Sequence, residues 1–244
     1  MKDSVIIARK FHLFYLGFIL ITVSMIVIAI LTTLFVGQDW RFVIYFSELL
    51  LLLFLSYHFK RKLYELINLK YLIHIRESAA APIELSSPLK TIDIEKRLLK
   101  KGYTQKFSNK RFALYIKIVR DDEVRRVFRH HILYAHVVIY NEHSPFYLKE
   151  VDEFINDIQY KSQTEDKKRI DRLLITQYKP VKTFNDEVKD RINEIIFIKT
   201  DRHVISTINV GIVEDPSLAV MLYSKTYKPS SYYPLHIRSI QEIL

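Results

Sequence analysis

The segment that most constrains the fold is Phe11 to Val36, which contains no Asp, Glu, Lys or Arg. A helix needs about 20 apolar residues to cross the hydrocarbon core of a bilayer, so this segment predicts a membrane span with room for tilt. It is longer than the apolar core of a signal peptide and has no small-residue cleavage site after it. A second apolar segment, Phe42 to Phe59, follows a short polar turn. Residues 1–59 therefore predict a transmembrane helical hairpin, with spans at about 11–36 and 42–59.

Basic residues flank this hairpin on both sides. They are Lys2, Arg9 and Lys10 before the first span and Lys60, Arg61 and Lys62 after the second. The turn at residues 37–41 carries only Arg41, whose charge Asp39 offsets. The positive-inside rule predicts an integral membrane protein with two spans, both termini in the cytoplasm and the turn outside. The alternative is a soluble hairpin buried inside a domain, and such a hairpin has no need of so long an uncharged run.

Glu48 is the one acidic residue inside a predicted span. An ionisable residue within a membrane is a functional hypothesis by default, which makes Glu48 a candidate functional residue of the hairpin. It lies two helical turns from Arg41, so its depth is shallow. The alternatives are that its side chain reaches water, pairs with the hydroxyl of Thr22 or Ser24, or pairs with another subunit.

Residues 60–77 predict a continuation of the second helix beyond the membrane, because they contain no Gly or Pro. Their apolar residues form two stripes at helical spacing, Tyr64, Ile67, Tyr71 and Ile75 in one and Leu66, Leu69 and Ile73 in the other. A helix with two apolar stripes must bury both. We therefore predict a juxtamembrane helix that associates with a second copy, making a homo-oligomer, or that docks onto the remaining domain.

Residues 78–90 are small and polar with two prolines and predict a linker. Residues 91–244 predict a cytosolic domain. Its predicted helices lie at 92–101, 121–131, 144–160 and 183–192, the last capped by Thr183, and its predicted strands at 103–107, 112–119, 132–140, 172–178, 195–199, 204–213 and 218–223. Gly102 is predicted to be the left-handed residue that ends the first of these helices. The order of elements predicts a membrane-anchored mixed α/β (α+β) fold, with helices packed on a mixed sheet.

Composition excludes several classes of site. The chain has no cysteine, which excludes disulfides, thiolate metal sites and a cysteine nucleophile. Its four glycines cannot form a Gly-rich phosphate loop, and we predict no cofactor. The concentration of histidines at His130, His131, His136 and His143 matches no zinc spacing, so we predict no metal and interpret them as ordinary surface or sheet residues.

Polar residues follow the predicted central strands. Ligands bind at the carboxyl ends of parallel strands in open α/β sheets. The candidate ligand-binding residues at these ends are Asn141, Glu142, His143, Lys199 and Asp201, with Gln177 and Lys179 beside them. The alternative is that these are the polar loop ends that any α/β domain has.

The chain carries a net charge of +10. Its candidate anion-binding or lipid-binding residues are Arg125, Arg126, Arg129, Lys60, Arg61 and Lys62. Asp121 and Asp122 precede Arg125 and Arg126 at helical ion-pair spacing, so a solvated, internally paired helix is the alternative. A nucleic acid or nucleotide ligand stays open.

Three functions are compatible with this pattern. The first is a membrane-anchored cytosolic binding, sensor or scaffold module, oligomeric through its helices, with the lipid bilayer, a second copy and a protein as its partners. The second is a membrane-tethered enzyme acting on a phosphate-containing substrate. The third is a ligand-gated effector whose hairpins assemble into a pore. The absence of nucleophile, metalloprotease, kinase and calcium-loop motifs favours the first.

Overall fold

The structure is a computed structural model that describes residues 3–124, 130–182, 185–200 and 203–244. The chain folds as two compact units, Met1–Ile73 and His74–Leu244.

The first unit is a hairpin of two helices, α1 at Asp3–Phe35 and α2, which begins at Gln38 and ends at Glu77. Near the turn, the Thr33 hydroxyl lies 2.6 Å from that of Tyr45. At the other end of the hairpin the rings of Phe14 and Phe59 are 4.6 Å apart. These two contacts fix the helices as antiparallel neighbours.

The turn of the hairpin is shorter than the sequence predicts. Only Val36 and Gly37 separate the two helices, and the polar residues that follow form the first turn of α2. Asp39 is favourable there because the amino end of a helix carries partial positive charge. The Arg41 Nε donates a hydrogen bond of 2.8 Å to the Val36 carbonyl oxygen and so satisfies an acceptor at the end of α1.

Both helices of the hairpin are long and apolar enough to span a membrane. Most of the large apolar side chains of the two helices face outward. Phe42 is 76% exposed and Phe54 is 67% exposed. A helix in water would bury such residues, so the surface of this unit is suited to an apolar solvent.

The second unit contains an eight-stranded mixed sheet. Its strands are β1 Ile83–Glu84, β2 Thr104–Ser108, β3 Phe112–Arg120, β4 His130–Ile139, β5 Arg169–Val181, β6 Ile196–Lys199, β7 Val204–Val213 and β8 Leu218–Met221. Its helices are α3 Thr91–Lys100, α4 Lys149–Thr164, α5 Asp186–Asn193 and α6 Tyr232–Gln241. The prediction of a mixed sheet with packed helices is confirmed.

The strand order is β1-β8-β7-β5-β4-β3-β2. The three central strands β4, β5 and β7 are parallel, and the flanking strands pair antiparallel to them. β6 pairs antiparallel with the first half of β7, while β8 pairs with its second half. β2 lies at one edge of the sheet, and its pairing with β3 shifts register between Gln105 and Phe107.

Helices cover both faces of this sheet. α4 and α5 pack on one face, where Val151 and Ile155 of α4 and Ile192 of α5 join a core with Leu133 and Ile175. Residues that alternate with these along the strands point to the opposite face. α3 lies on that face, where the Tyr140 hydroxyl donates to Glu95, and so does α6, whose His236 contacts Thr176 and Ser206.

Several predicted boundaries differ from the structure. α4 begins at Lys149 instead of residue 144, because the Asn141 side chain accepts from the His143 N–H and the chain first makes a turn there. β5 extends well beyond the predicted 172–178 and includes Pro180, which lies past the last residue that pairs with β4. α5 is capped by the side chain of Asn185, which accepts from the Val188 N–H. The predicted cap Thr183 lies outside the described residues.

Three further predictions have different outcomes. The predicted helix at 121–131 is wrong in the described residues, because residues 121–124 form a turn and His130 and His131 belong to β4. Residues 125–129 lie outside the described chain. The predicted linker contains β1, which pairs with β8. The prediction for Gly102 is confirmed, since its φ is +80° and the Tyr103 N–H bonds to the Leu98 carbonyl.

Candidate functional site

The parallel strands bring their carboxyl ends to one edge of the sheet, where a cleft of about 360 Å³ lies between the end of β5, the loop after β4 and the start of α5. We call it the carboxyl-edge cleft. The lining residues that matter for its chemistry are Glu142, Lys179, Lys182, Glu187, Val188 and Arg191. Its position is the one that ligands use in open sheets with parallel strands.

The structure brings together some of the predicted ligand-binding residues and separates others. Glu142 and His143 line the carboxyl-edge cleft. Asn141 is used in the turn after β4, where its side chain accepts from the His143 N–H at 2.9 Å. Lys199 is at the opposite edge, because β6 runs antiparallel to β7 and Lys199 pairs with Val204 at the beginning of β7. Lys199 therefore lies apart from the carboxyl-edge cleft, and Asp201 lies outside the described residues.

Lys179 is the most unusual residue of the cleft. It is only 2% exposed, although lysine is rarely buried without a charged partner. Its ammonium donates one hydrogen bond of 3.2 Å to the Ser144 carbonyl oxygen and lies 4.3 Å from the centre of the Phe146 ring. Burial lowers the pKa of Lys179; the nearby Arg191 lowers it further, and Glu142 opposes the shift.

The other charged groups of the cleft are paired with one another. The Glu142 carboxylate lies 3.4 Å from the Lys182 ammonium and 3.4 Å from the His143 ring. The Arg191 guanidinium lies 2.6 Å from the Glu187 carboxylate, one helical turn away on α5. In each pair at least one of the two side chains is well exposed, so each pair contributes little to stability.

Two residues of β7 hold α5 beside the cleft. The Asn209 side chain donates to the carbonyl oxygens of Arg191 and Glu194 at 3.0 and 2.9 Å. Gly211 lies under Ile192, and a β-carbon at this position would come within 2.5 Å of the Ile192 Cδ1. The missing side chain therefore lets α5 pack closely on the sheet, which fixes the position of Arg191 and Val188.

Of the six predicted basic residues, the structure describes Lys60, Arg61 and Lys62. Arg61 and Lys62 both lie within ion-pair distance of Glu65, at 3.4 and 2.8 Å, and Lys60 lies over the Tyr64 ring. Arg125, Arg126 and Arg129 lie outside the described residues.

Glu48 has a carboxylate oxygen, Oε1, that is buried and makes no hydrogen bond within the described part of the chain. The predicted pairing with Thr22 or Ser24 does not form. Both hydroxyls instead donate to carbonyl oxygens of their own helix, those of Phe18 and Leu20.

The histidines of β4 lie in two different environments. The His130 Nδ1 lies 2.7 Å from a carboxylate oxygen of Asp171, and that oxygen also lies 2.8 Å from the Arg169 Nε. His136 is completely buried, and its ring contacts the Tyr178 hydroxyl at 3.2 Å. Among the described residues, no three His, Asp or Glu side chains form a group that could hold a metal ion.

A polar network on the α3–α6 face of the sheet was not predicted from the sequence. His236 of α6 is completely buried between the Thr176 and Ser206 hydroxyls, at 3.0 and 2.9 Å. Burial lowers the pKa of His136 and of His236 to about 3, so both are neutral at ordinary pH. The signal in the sequence is a polar residue at alternate positions of otherwise apolar strands, as at Thr176 and Ser206.

Comparison with protein-family models, curated proteins and solved structures finds no match to this chain.

Proposed function

We propose that this chain is a membrane-anchored binding module. In this proposal the α1–α2 hairpin lies in a lipid bilayer, both termini are cytoplasmic, and the second unit binds a small ligand in the carboxyl-edge cleft. The observation that carries the ligand-binding part is Lys179, a buried ammonium at the carboxyl edge of a parallel sheet.

The membrane part is supported by the outward-facing apolar side chains of α1 and α2. Exposing these apolar side chains to water is unfavourable, whereas exposing them to lipid is not. The basic residues at both ends of the hairpin support the orientation, because positive charge is retained on the cytoplasmic side.

The orientation can be tested by cysteine labelling, since the native chain contributes no cysteine background. Gln38→Cys in the hairpin turn should react with a membrane-impermeant maleimide in intact cells. Lys161→Cys, at the exposed end of α4, should react only after the membrane is permeabilised. The reverse pattern would contradict the orientation, and release of the chain from membranes by alkaline carbonate would contradict membrane insertion itself.

Glu48 supports the further proposal that the module is a homo-oligomer. A carboxylate oxygen buried without a hydrogen bond is costly, and more so in lipid. A second copy of the hairpin can supply a donor. Glu48→Leu, which removes the polar group but keeps the side-chain size, should then shift the detergent-solubilised chain toward monomer in light scattering. Glu48→Gln, which can still hydrogen-bond, should retain the oligomer, and an equal mass for all three chains would contradict this role.

A further inference from the structure

We infer that the carboxyl-edge cleft binds the oxyanion group, a phosphate or a carboxylate, of a small organic ligand, and that the Lys179 ammonium is its main contact. This inference rests on the proposed use of the cleft as the ligand site and adds the chemical class of the ligand.

The Lys179 ammonium has more hydrogen-bond donors than the described residues around it use. An ammonium has three donors. In the structure one donor reaches the Ser144 carbonyl and the ring of Phe146 faces the charge. Within the described residues no carboxylate oxygen lies within the ion-pair distance of 4.0 Å from this ammonium. Burying a charge without a counter-ion is strongly unfavourable, and an oxyanion in the cleft would supply both the opposite charge and the missing acceptor.

The charges that line the cleft favour an anionic ligand. Lys179, Lys182 and Arg191 are positive, while Glu142 and Glu187 are negative. Both carboxylates already lie in ion pairs with other side chains, so they are less available for a cationic ligand. The remaining unneutralised charge is that of Lys179, which makes an anion the favoured ligand.

The cleft also has space and apolar surface for the rest of an organic ligand. Pro180, Val181 and Val188 give the cleft apolar surface beside the cations. Ligand sites commonly combine an apolar lining with a few placed charges, and the volume of about 360 Å³ fits a small organic molecule better than a single inorganic ion. Lys182 is largely exposed and can approach the same oxyanion from the mouth of the cleft.

The inference makes a paired prediction for Lys179→Met. Methionine has a similar length and no charge, so the variant should melt at a higher temperature than the wild-type chain in the absence of ligand. The same variant should bind the oxyanion about 10- to 100-fold more weakly, because a charge-assisted hydrogen bond is lost. If Lys179 had only a structural role, its replacement would not raise the melting temperature while weakening oxyanion binding.

The experiment uses the full chain in detergent micelles at constant ionic strength, with melting temperature and calorimetry as readouts. The probes are inorganic phosphate, adenosine 5′-monophosphate, succinate and uncharged adenosine. Phosphate, the monophosphate and succinate should raise the melting temperature of the wild-type chain more than adenosine does. The relative affinities of the monophosphate and succinate then distinguish a phosphate ligand from a carboxylate ligand.

Two further variants serve as controls. Lys199→Met makes the same substitution at the opposite edge of the sheet and should leave oxyanion affinity within about twofold of the wild type. Lys182→Gln, at the mouth of the cleft, should weaken binding only severalfold because that side chain is exposed.

The inference is overturned if none of the three anions shifts the wild-type melting temperature even at millimolar concentration, or if Lys179→Met binds them as tightly as the wild type does. Binding of adenosine without any preference for the anions would also overturn it, while the proposed ligand-binding function would still stand. Failure of the membrane labelling would reject the proposed anchoring without affecting the oxyanion result.

Discussion

His136 and His236 lie on the face of the sheet that α3 and α6 cover, and both side chains are completely buried. Their environments are apolar rings and hydroxyls, with Tyr103 packed against the edge of His136 at 4.6 Å between ring centres. Such surroundings accept a neutral imidazole and disfavour an imidazolium, because a buried charge has no water to solvate it. The two rings therefore couple the stability of the second unit to pH.

The sign of this coupling follows from the two protonation states. In the folded chain both histidines have a pKa of about 3, whereas an exposed histidine has a pKa of about 6.5. As the pH falls below about 6.5 the unfolded chain takes up protons and the folded chain does not, so the free energy of unfolding decreases. Between about pH 7.5 and about pH 5 each histidine should reduce it by about 2 kcal/mol.

This prediction can be measured by urea unfolding of the wild-type chain and of His136→Gln at the two pH values. The variant should lose about half of the pH-dependent decrease, because one of the two buried rings no longer titrates. His203→Gln, at an exposed histidine, is the control and should keep the full decrease. The same pH dependence in all three chains would show that other groups are responsible.

Lys179 illustrates what sequence analysis can and cannot predict about a single residue. Its place near a strand end was visible from the pattern of β5, and so was the polar character of that end. Its burial could not be predicted, because it depends on Ser144 and Phe146. These residues follow β4 in the sequence and contact Lys179 only in the folded structure.

At the scale of elements, the packing of α5 on β7 depends on Gly211. Replacing it by alanine would force the new β-carbon against Ile192 and to within 3.1 Å of Val181 Cγ2. Gly211→Ala should therefore lower the free energy of unfolding by about 1–3 kcal/mol, as overpacked cores do.

The double variant Gly211→Ala with Ile192→Val tests whether the contact with Ile192 causes this destabilisation. Valine lacks the terminal methyl group that the new β-carbon would meet first, so the double variant should be less destabilised than the sum of the two single variants. Urea unfolding of the four chains gives the coupling energy. If the changes in the free energy of unfolding were simply additive, the close approach of Ile192 would not be the cause of the destabilisation.

The elements that were predicted well are those with strong periodicity. β3, β4 and β7 have long apolar or alternating patterns, and their predicted ranges agree with the structure within a few residues. The elements predicted poorly depend on tertiary contacts. β1 is two residues long and exists because Ile83 pairs with Ala219, far away in sequence. α6 was not predicted, since Pro234 and neighbouring tyrosines obscure its periodicity, although its buried face includes Tyr233, Ile237 and Ile240.

The direction of β6 explains why Lys199 lies apart from the other predicted site residues. A strand that follows a helix in an alternating pattern is expected to be parallel, and β6 follows α5. The chain instead turns back after Lys199, and β7 occupies the parallel position beside β5. Sequence periodicity shows that a strand exists and does not show its direction. Of the predicted residues that the structure describes, Glu142, His143 and Lys179 line the carboxyl-edge cleft.

At the scale of the whole molecule, the two units have different kinds of interior. The hairpin has helices whose hydrogen bonds are internal to each helix, and the second unit has a sheet core that depends on long-range contacts. In detergent micelles urea should therefore unfold the second unit while the hairpin stays helical, because apolar helices in a micelle keep their backbone hydrogen bonds.

Trp40 makes this prediction measurable, since it is the single tryptophan of the chain and lies in the first turn of α2. Near-ultraviolet circular dichroism of the buried tyrosines, among them Tyr178 and Tyr223, should show a cooperative transition. Trp40 emission should stay constant through that transition. Coincident changes in both signals would mean that the chain unfolds as one cooperative body.

The shift of register in β2 has a consequence for how copies of this protein can meet. A flat edge strand offers unpaired backbone groups to another sheet and invites uncontrolled aggregation. The register shift lies in the middle of β2, and the extra residue there is Lys106. Its charged side chain disfavours the addition of another strand. At the other edge β1 has only two residues and β6 only four, so neither offers a long template for a partner strand. The sheet is thus protected at both ends against templated polymerisation.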